Sequence, residues 1–342
     1  MDQAITEPES RNTYLVSSLF DEAINSSQLE GAATTYNDAK EMLRQDREPT
    51  DTSEQMILNN YRAMRFSNEF KSERLTPEMI MELHRILVED TLKNPEDAGQ
   101  FRTSEDEVVV VDRRDNTVLH IPPDAKELPE RIKRICRFAN ESNEKLFIPV
   151  PLRAIICHFM LAYDHPFVDG NGRTARALFY WMMAKNDYWM MKYTSISRIL
   201  KKEFGQYKNG FLYVETDDND LTYFIIHQLS VIKKAINQLN QYLKKKSQEI
   251  ESTRKLLESR RQLARKLNYR QLFLLRHALE HPNFIYTIES HKNSHGIYYD
   301  TARKDLLALS EEYGLLNKEK SGRVFVFISP VDLQKRITKK SK

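Results

Sequence analysis

The sequence predicts a mostly α-helical chain interrupted by one β-hairpin near its middle and finished by a small helix-and-hairpin module. Three observations carry this. Apolar residues recur at helical spacing over most of the first 230 positions, only 9 Gly and 12 Pro punctuate 342 residues, and valine-rich strand-like segments are confined to Val108–Ile121 and Val324–Ile328. The length suggests two or three domains.

Leu15, Val16, Leu19, Phe20 and Ala23 start the helical pattern, and Met42–Leu43 and Met56–Met64 continue it. Thr76-Pro77-Glu78 reads as a helix start, with Met79, Ile80, Leu83 and Ile86 as its buried stripe. Val108–Val111, a polar turn at Asp112–Thr117 and Val118–Ile121 read as a β-hairpin, closed by Pro122 and Pro123. Helices resume near Asp124, pass through Ile156, 165–186 and Ile196, and end in an amphipathic connector from about Leu221 to Lys266. Beyond it, a helix over Gln271–Glu280 precedes Phe284–Thr287. A helix over Tyr299–Tyr313 and two strands follow, near Leu315–Leu316 and Val324–Ile328, joined at Lys320-Ser321-Gly322. This is the order of a winged helix-turn-helix. The division read here is 1–100, N-terminal helices; 101–230, a catalytic core with the hairpin at 101–122; 231–266, the connecting helix; and 267–342, the winged-helix domain.

Charge is uneven. The chain carries 52 Lys/Arg against 49 Asp/Glu, yet residues 231–342 hold 24 against 11, or +13, behind a body of −10. A basic tail favours a polyanionic or acidic partner. No apolar run reaches the roughly 18 residues of a membrane span, and the N-terminus lacks a signal-peptide pattern, so a cytoplasmic protein without membrane partners is expected. Cys136 and Cys157 read as core thiols rather than a disulfide framework.

One passage concentrates chemistry: His165-Pro166-Phe167-Val168-Asp169-Gly170-Asn171-Gly172-Arg173-Thr174-Ala175-Arg176. A Gly-Asn-Gly turn opens a helix whose N–H groups and dipole attract anions. Arg173 and Arg176 sit on its first turns as a polyphosphate clamp. Asp169 is a hard oxygen ligand suited to Mg²⁺, and His165 is a candidate base for a hydroxyl. A base, a metal ligand, an anion nest and two arginines point to phosphoryl or nucleotidyl transfer.

The twelve residues resemble the Fic-family signature, His-Pro-Phe-x-(Asp/Glu)-Gly-Asn-Gly-Arg-x-x-Arg, at all its fixed positions. The resemblance extends over roughly 10–230 and implies a Fic-type helical bundle with a flap hairpin. The hairpin, introduced by Gly99, Phe101 and Arg102, is similar to that flap, with Val108, Val109 and Val110 on the strand that would pair with a target segment. Ser26-Ser27-Gln28-Leu29-Glu30-Gly31 is similar to the family's inhibitory (Ser/Thr)-x-x-x-Glu-Gly motif.

The implied activity is protein adenylylation: AMP passes from ATP to a Ser, Thr or Tyr hydroxyl of a target or of the enzyme itself. His165 is the implied base and Asp169 the Mg²⁺ ligand. Gly170, Asn171 and Gly172 hold phosphate oxygens, Arg173 and Arg176 hold the β- and γ-phosphates, and Tyr207 lines the nucleotide pocket. Ser26, Glu30 and Gly31 form the brake, with Glu30 reaching Arg176. Family members with Lys in place of the second glycine resemble kinases; Gly172 favours AMP transfer.

Plainer readings stand beside these. Ser27 and Glu30 also fit a helix-start capping box, and Tyr207 also fits an ordinary packed tyrosine. Arg102 reads as a brace for the hairpin. His84, His120, His158 and His227 read as structural or exposed, and Trp181, Met182 and Met183 as core. Rival functions are a DNA-binding regulator with a nucleotide-sensing core, and transfer of UMP or phosphocholine. DNA at the winged helix and a homodimer are the remaining partner expectations.

Overall fold

A computed structural model describes residues 8–111, 117–140, 147–257, 261–322 and 324–338. Residues 112–116 of the expected hairpin turn and the extreme N-terminus lie outside these residues. The chain divides into two compact units: residues 18–40 with 49–236, and residues 1–17 with 41–48 and 237–342.

The larger unit is helical. Helix α1 (Pro8–Leu29) contributes its second half here, followed by α3 (Thr52–Glu69) and α4 (Pro77–Val88); α2 (Tyr36–Gln45) precedes them in the chain. Thr76 caps α4 as expected, accepting a hydrogen bond from the Met79 N–H at 3.2 Å. Its buried face comprises Ile80, Leu83, His84, Leu87 and Val88, turned slightly from the anticipated stripe. Then come α5 (Leu128–Asn140), α6 (Val150–Asp164), α7 (Asn171–Lys185), α8 (Ile196–Lys202), α9 (Phe204–Thr216) and the start of α10 (Thr222–Leu256).

Helix α7 is the centre. It packs on α6, α3 and α4, and all but two of its residues, Gly172 and Lys185, are buried, Trp181, Met182 and Met183 among them. A helix surrounded on every side must bury whatever polar side chains it carries, so Arg173 and Arg176 are both 1% exposed. Cys136 and Cys157 are buried free thiols in this core, and burial pushes both up to about 12.

The hairpin is shorter than its valines suggest. Strand β1 is Val110–Val111 and β2 is Val118–His120, antiparallel, with Val110 opposite His120 and an irregularity before Val111 meets Val118. Val108 and Val109 therefore precede the strand: the Val108 N–H turns to the Asp106 carbonyl instead of a ladder partner.

In the second unit α12 (Tyr269–Glu280) leads into β3 (Ile285–Tyr286), α13 (Ile288–His295), α14 (Tyr299–Leu307) and a π-helical turn at Ala308–Glu312. The short α11 (Arg261–Lys266) precedes them. Strands β4 (Asn317–Ser321) and β5 (Val324–Ile328) complete an antiparallel sheet of order β3-β5-β4, and α15 (Leu333–Thr338) follows. Two expectations are corrected. Leu315 and Leu316 are buried just before β4 rather than forming it. Helix α13 escapes the apolar pattern because its buried face is mostly polar, with Ser290, His291 and His295 beside a single Ile288. Asp305 organises this unit, accepting from Asn268, Arg270 and His291.

Candidate functional site

The loop 165–170 joins α6 to α7. His165 closes α6 in the left-handed region, φ 46°, and Gly170 opens α7 at φ +80°. Such a φ strains any side chain, and a Cβ at 170 would also lie 2.7 Å from Val88 Cγ1.

His165 is held from several directions. Arg102 donates to the His165 carbonyl at 2.8 Å and to the Pro123 carbonyl at 2.5 Å, while the Arg102 N–H reaches the Pro166 carbonyl. Arg102 thus braces the hairpin's base, as expected, and the 165–170 loop as well. Asp164, buried, pairs with Arg131 at 2.7 Å. The His165 ring lies with Nδ1 3.1 Å from the Ala162 carbonyl. A carbonyl only accepts, so Nδ1 carries the proton and the lone pair sits on Nε2. Burial pushes the imidazole down to about 4, leaving it neutral at physiological pH.

Asn171 behaves differently from expectation. Its amide accepts from the Phe167 N–H at 2.9 Å and donates to the Phe167 carbonyl at 2.7 Å, so the side chain knots the loop rather than facing a ligand. The Asp169 carboxylate is exposed at the loop's lip, with one oxygen accepting from the Gly170 N–H at 2.6 Å. Arg173 donates to the Leu87 carbonyl at 2.9 Å and lies 3.6 Å from Asp169.

The segment 26–31 meets this helix start. Arg176 donates to Ser26 Oγ at 2.9 Å, to the Ser26 carbonyl at 3.1 Å and to Glu30 at 2.8 Å. Burial acts against the Arg176 charge, but the Glu30 carboxylate beside it holds the guanidinium raised. A Cβ at Gly172 would lie 2.2 Å from Glu30 Oε1, so the carboxylate sits directly over the first turn of α7. The capping-box reading fails here. Ser27 is at the end of α1, not the start of a helix; its hydroxyl donates to the Met56 carbonyl and accepts from Asn60. Gly31 follows at φ 100°, which turns the chain away.

Tyr207 is buried, its hydroxyl 2.9 Å from His158 Nε2, and burial pushes it up to about 12. It also lies within hydrogen-bond and electrostatic reach of Arg176. His84 and His158 are both buried, and His120 ties β2 to the core through the Tyr163 carbonyl at 2.7 Å and the Glu215 carboxylate. A cleft of about 440 Å³ runs beside β2, lined by Val118, His120, Ile121, Tyr163, Glu215 and Asn219.

The residues fit a nucleotide and its cation. A carboxylate already lies where α7's N-terminal dipole and a buried guanidinium converge, which is the chemistry a phosphate oxygen would meet. No cluster of three or more candidate ligands occurs among the described residues, but Mg²⁺ on a nucleotide needs only one or two carboxylates beside the phosphates, and Asp169 supplies one. No described helix is long and apolar enough to cross a membrane.

The comparisons agree with this geometry. Residues 74–183 match the model of the Fic/DOC family. The chain is 33% identical over 108 residues to "Protein adenylyltransferase Fic" of Nematostella vectensis, covering 32% of this chain and 22% of that one. It is 32% identical over 134 residues to the protein of the same name in Drosophila melanogaster, covering 39% and 25%. The chain thus spans about a quarter of the length of these curated relatives. Among solved structures, a Fic family protein from Desulfovibrio desulfuricans G20 superposes with TM-score 0.58 at 15% identity, covering 96% of this chain and 90% of that one. Fic-1 from C. elegans gives 0.51 at 23% identity, covering 71% and 66%. With the signature loop, the helix it opens and the mostly helical surround in place, residues 74–183 of this chain match the Fic/DOC family, and the chain shares the fold of solved Fic proteins.

Proposed function

We propose that this chain transfers AMP from ATP to a Ser, Thr or Tyr hydroxyl of a target protein, with His165 as the base and Glu30 as a built-in restraint. One observation carries the reading. The start of α7 and Arg176 form an anion site that a carboxylate already fills, within electrostatic reach of a neutral imidazole whose Nε2 is the basic nitrogen.

The target hydroxyl gives its proton to His165 Nε2 as its oxygen attacks the α-phosphorus, and the bond to pyrophosphate breaks. The Nδ1–H bond to the Ala162 carbonyl holds the ring and stabilises the imidazolium that forms. A phosphate beside the ring raises its basicity from the depressed resting value. The first-turn N–H groups of α7, Asn171 and Gly172 among them, face the phosphates, and Arg173 and Arg176 neutralise the leaving group. Mg²⁺, when bound, neutralises phosphate oxygens, and Asp169 would hold it.

Arg176 cannot serve a γ-phosphate while it is paired with Glu30, and this competition is the restraint. The exposed valines of the hairpin, Val111 and Val118, suit pairing with a target strand. The second unit's element order supports a winged-helix reading. Tyr298, Tyr299, Arg303 and Lys304 form the exposed face of its recognition-type helix, beside the acidic Asp300.

Intact-mass analysis of the Glu30→Gly protein with Mg²⁺-ATP tests the function. One adenylyl group is expected on the enzyme or an added target, and none when His165→Ala is combined. A different adduct from UTP or CDP-choline would favour the other transferases; no adduct from any nucleotide would end the reading.

A further inference from the structure

We propose that His84 is a positioning residue for the phosphate loop, fixing the Asp169–Gly170 peptide and tying it to the segment that leads into the hairpin. The inference rests on the transferase reading only in naming what the loop binds. The sequence offers no metal spacing or motif around this histidine, and only the fold reveals its partners.

His84 is fully buried on α4. Its Nε2 lies 2.9 Å from the Asp169 carbonyl, and its Nδ1 lies 3.1 Å from the Gly99 nitrogen. A carbonyl can only accept and an amide N–H can only donate, so one protonation state satisfies both: proton on Nε2, lone pair on Nδ1. The ring is stacked on Phe167, centroids 3.7 Å apart and planes within 6°, so it has no freedom to turn.

The two bonds join elements that the mechanism uses. The Asp169 carbonyl belongs to the same peptide whose N–H, on Gly170, holds the Asp169 carboxylate. Orienting that peptide therefore sets both where the carboxylate points and how α7 begins. Gly170 is pressed so close that a Cβ there would meet His84 at 3.3 Å. Gly99, at φ +76°, lies three residues before Arg102, which grips the His165 carbonyl. His84 is thus the common anchor of both ends of the site.

Two substitutions separate the bonds. His84→Gln places an amide nitrogen near Nε2 and keeps a donor to Asp169; His84→Asn places an amide oxygen near Nδ1 and keeps an acceptor for Gly99. Amide hydrogen exchange over 169–174 needs no nucleotide. It is expected to accelerate about tenfold in His84→Asn and to stay near the parent in His84→Gln. Mg²⁺-ADP affinity, measured by calorimetry in the Glu30→Gly background, is expected to weaken by about tenfold in His84→Asn, with His84→Gln retaining most of it, the scale usual for groups that orient a ligand. Equal effects of the two variants, or none, on exchange would overturn the proposal and make His84 a simple core residue. A parent that binds no nucleotide would sink the transferase reading, while the exchange comparison would still decide the role of His84.

Discussion

Replacing Glu30 by Gln isolates the charge of the proposed restraint without emptying its space. In the structure the Arg176 side chain is 2% exposed and that of Glu30 27%, their closest atoms 2.8 Å apart. A charge-assisted hydrogen bond so enclosed contributes about 1.5–3 kcal/mol net. A phosphate that must displace it binds more weakly by the same amount, so Glu30→Gln is expected to raise affinity for a non-hydrolysable Mg²⁺-ATP analogue by ~10–150-fold. Stability should move the other way. Arg176 keeps Ser26 Oγ and the Ser26 carbonyl as acceptors, so the cost stays below the 3–5 kcal/mol of an abandoned buried charge. A loss of about 1–2 kcal/mol, lowering Tm by roughly 2–6 °C, is expected. Calorimetric titration and thermal denaturation read the two effects separately. A lower Tm with unchanged affinity would make Glu30 a structural residue and refute the competition argument.

Gly172→Ala tests the same contact from the opposite side. Its methyl would overlap Glu30 Oε1, so Tm is expected to fall in the wild type but to hold or rise in Glu30→Gly; a fall in both backgrounds would point to a different clash. Acid should destabilise the fold. His165 is depressed to about 4 and His158 to about 3, so the unfolded chain binds more protons below pH ~6.5, and stability, intact above that value, is lost as pH falls towards 4. By these shifts His165 contributes about 3 kcal/mol and His158 about 5 kcal/mol, and denaturant midpoints that stay flat between pH 7 and 4.5 would contradict this. Glu22, buried, accepts from Tyr180, Ser195 and Ser197; Glu22→Ala strands these donors and should cost about 3 kcal/mol, read from the same midpoints.

Several elements were legible because their causes are local. Thr76-Pro77-Glu78 sets its own helix start through a cap and a ring-fixed φ, and the central helix begins at the Gly170 that the sequence marks. Others were not. Val108 and Val109 look like strand, yet whether a valine joins a ladder depends on the partner opposite it, and β1 finds one only from Val110. Helix α13 is mostly polar on its buried side, so periodicity passes over it. Ser27 satisfied a capping pattern whose meaning depended on which end of a helix it occupies.

What the sequence determined by itself was the twelve-residue loop and helix start, because the turn, the glycine conformation and the spacing of the arginines are set within a few bonds of one another. What only the tertiary structure decided was every pairing across the chain. Ser26 meets Arg176 from 150 positions away, His84 meets Asp169 from 85, and Asn171 turns its amide inward to Phe167. Such contacts follow from packing a central helix on all sides, which buries its charges and obliges each to find a partner wherever the fold brings one.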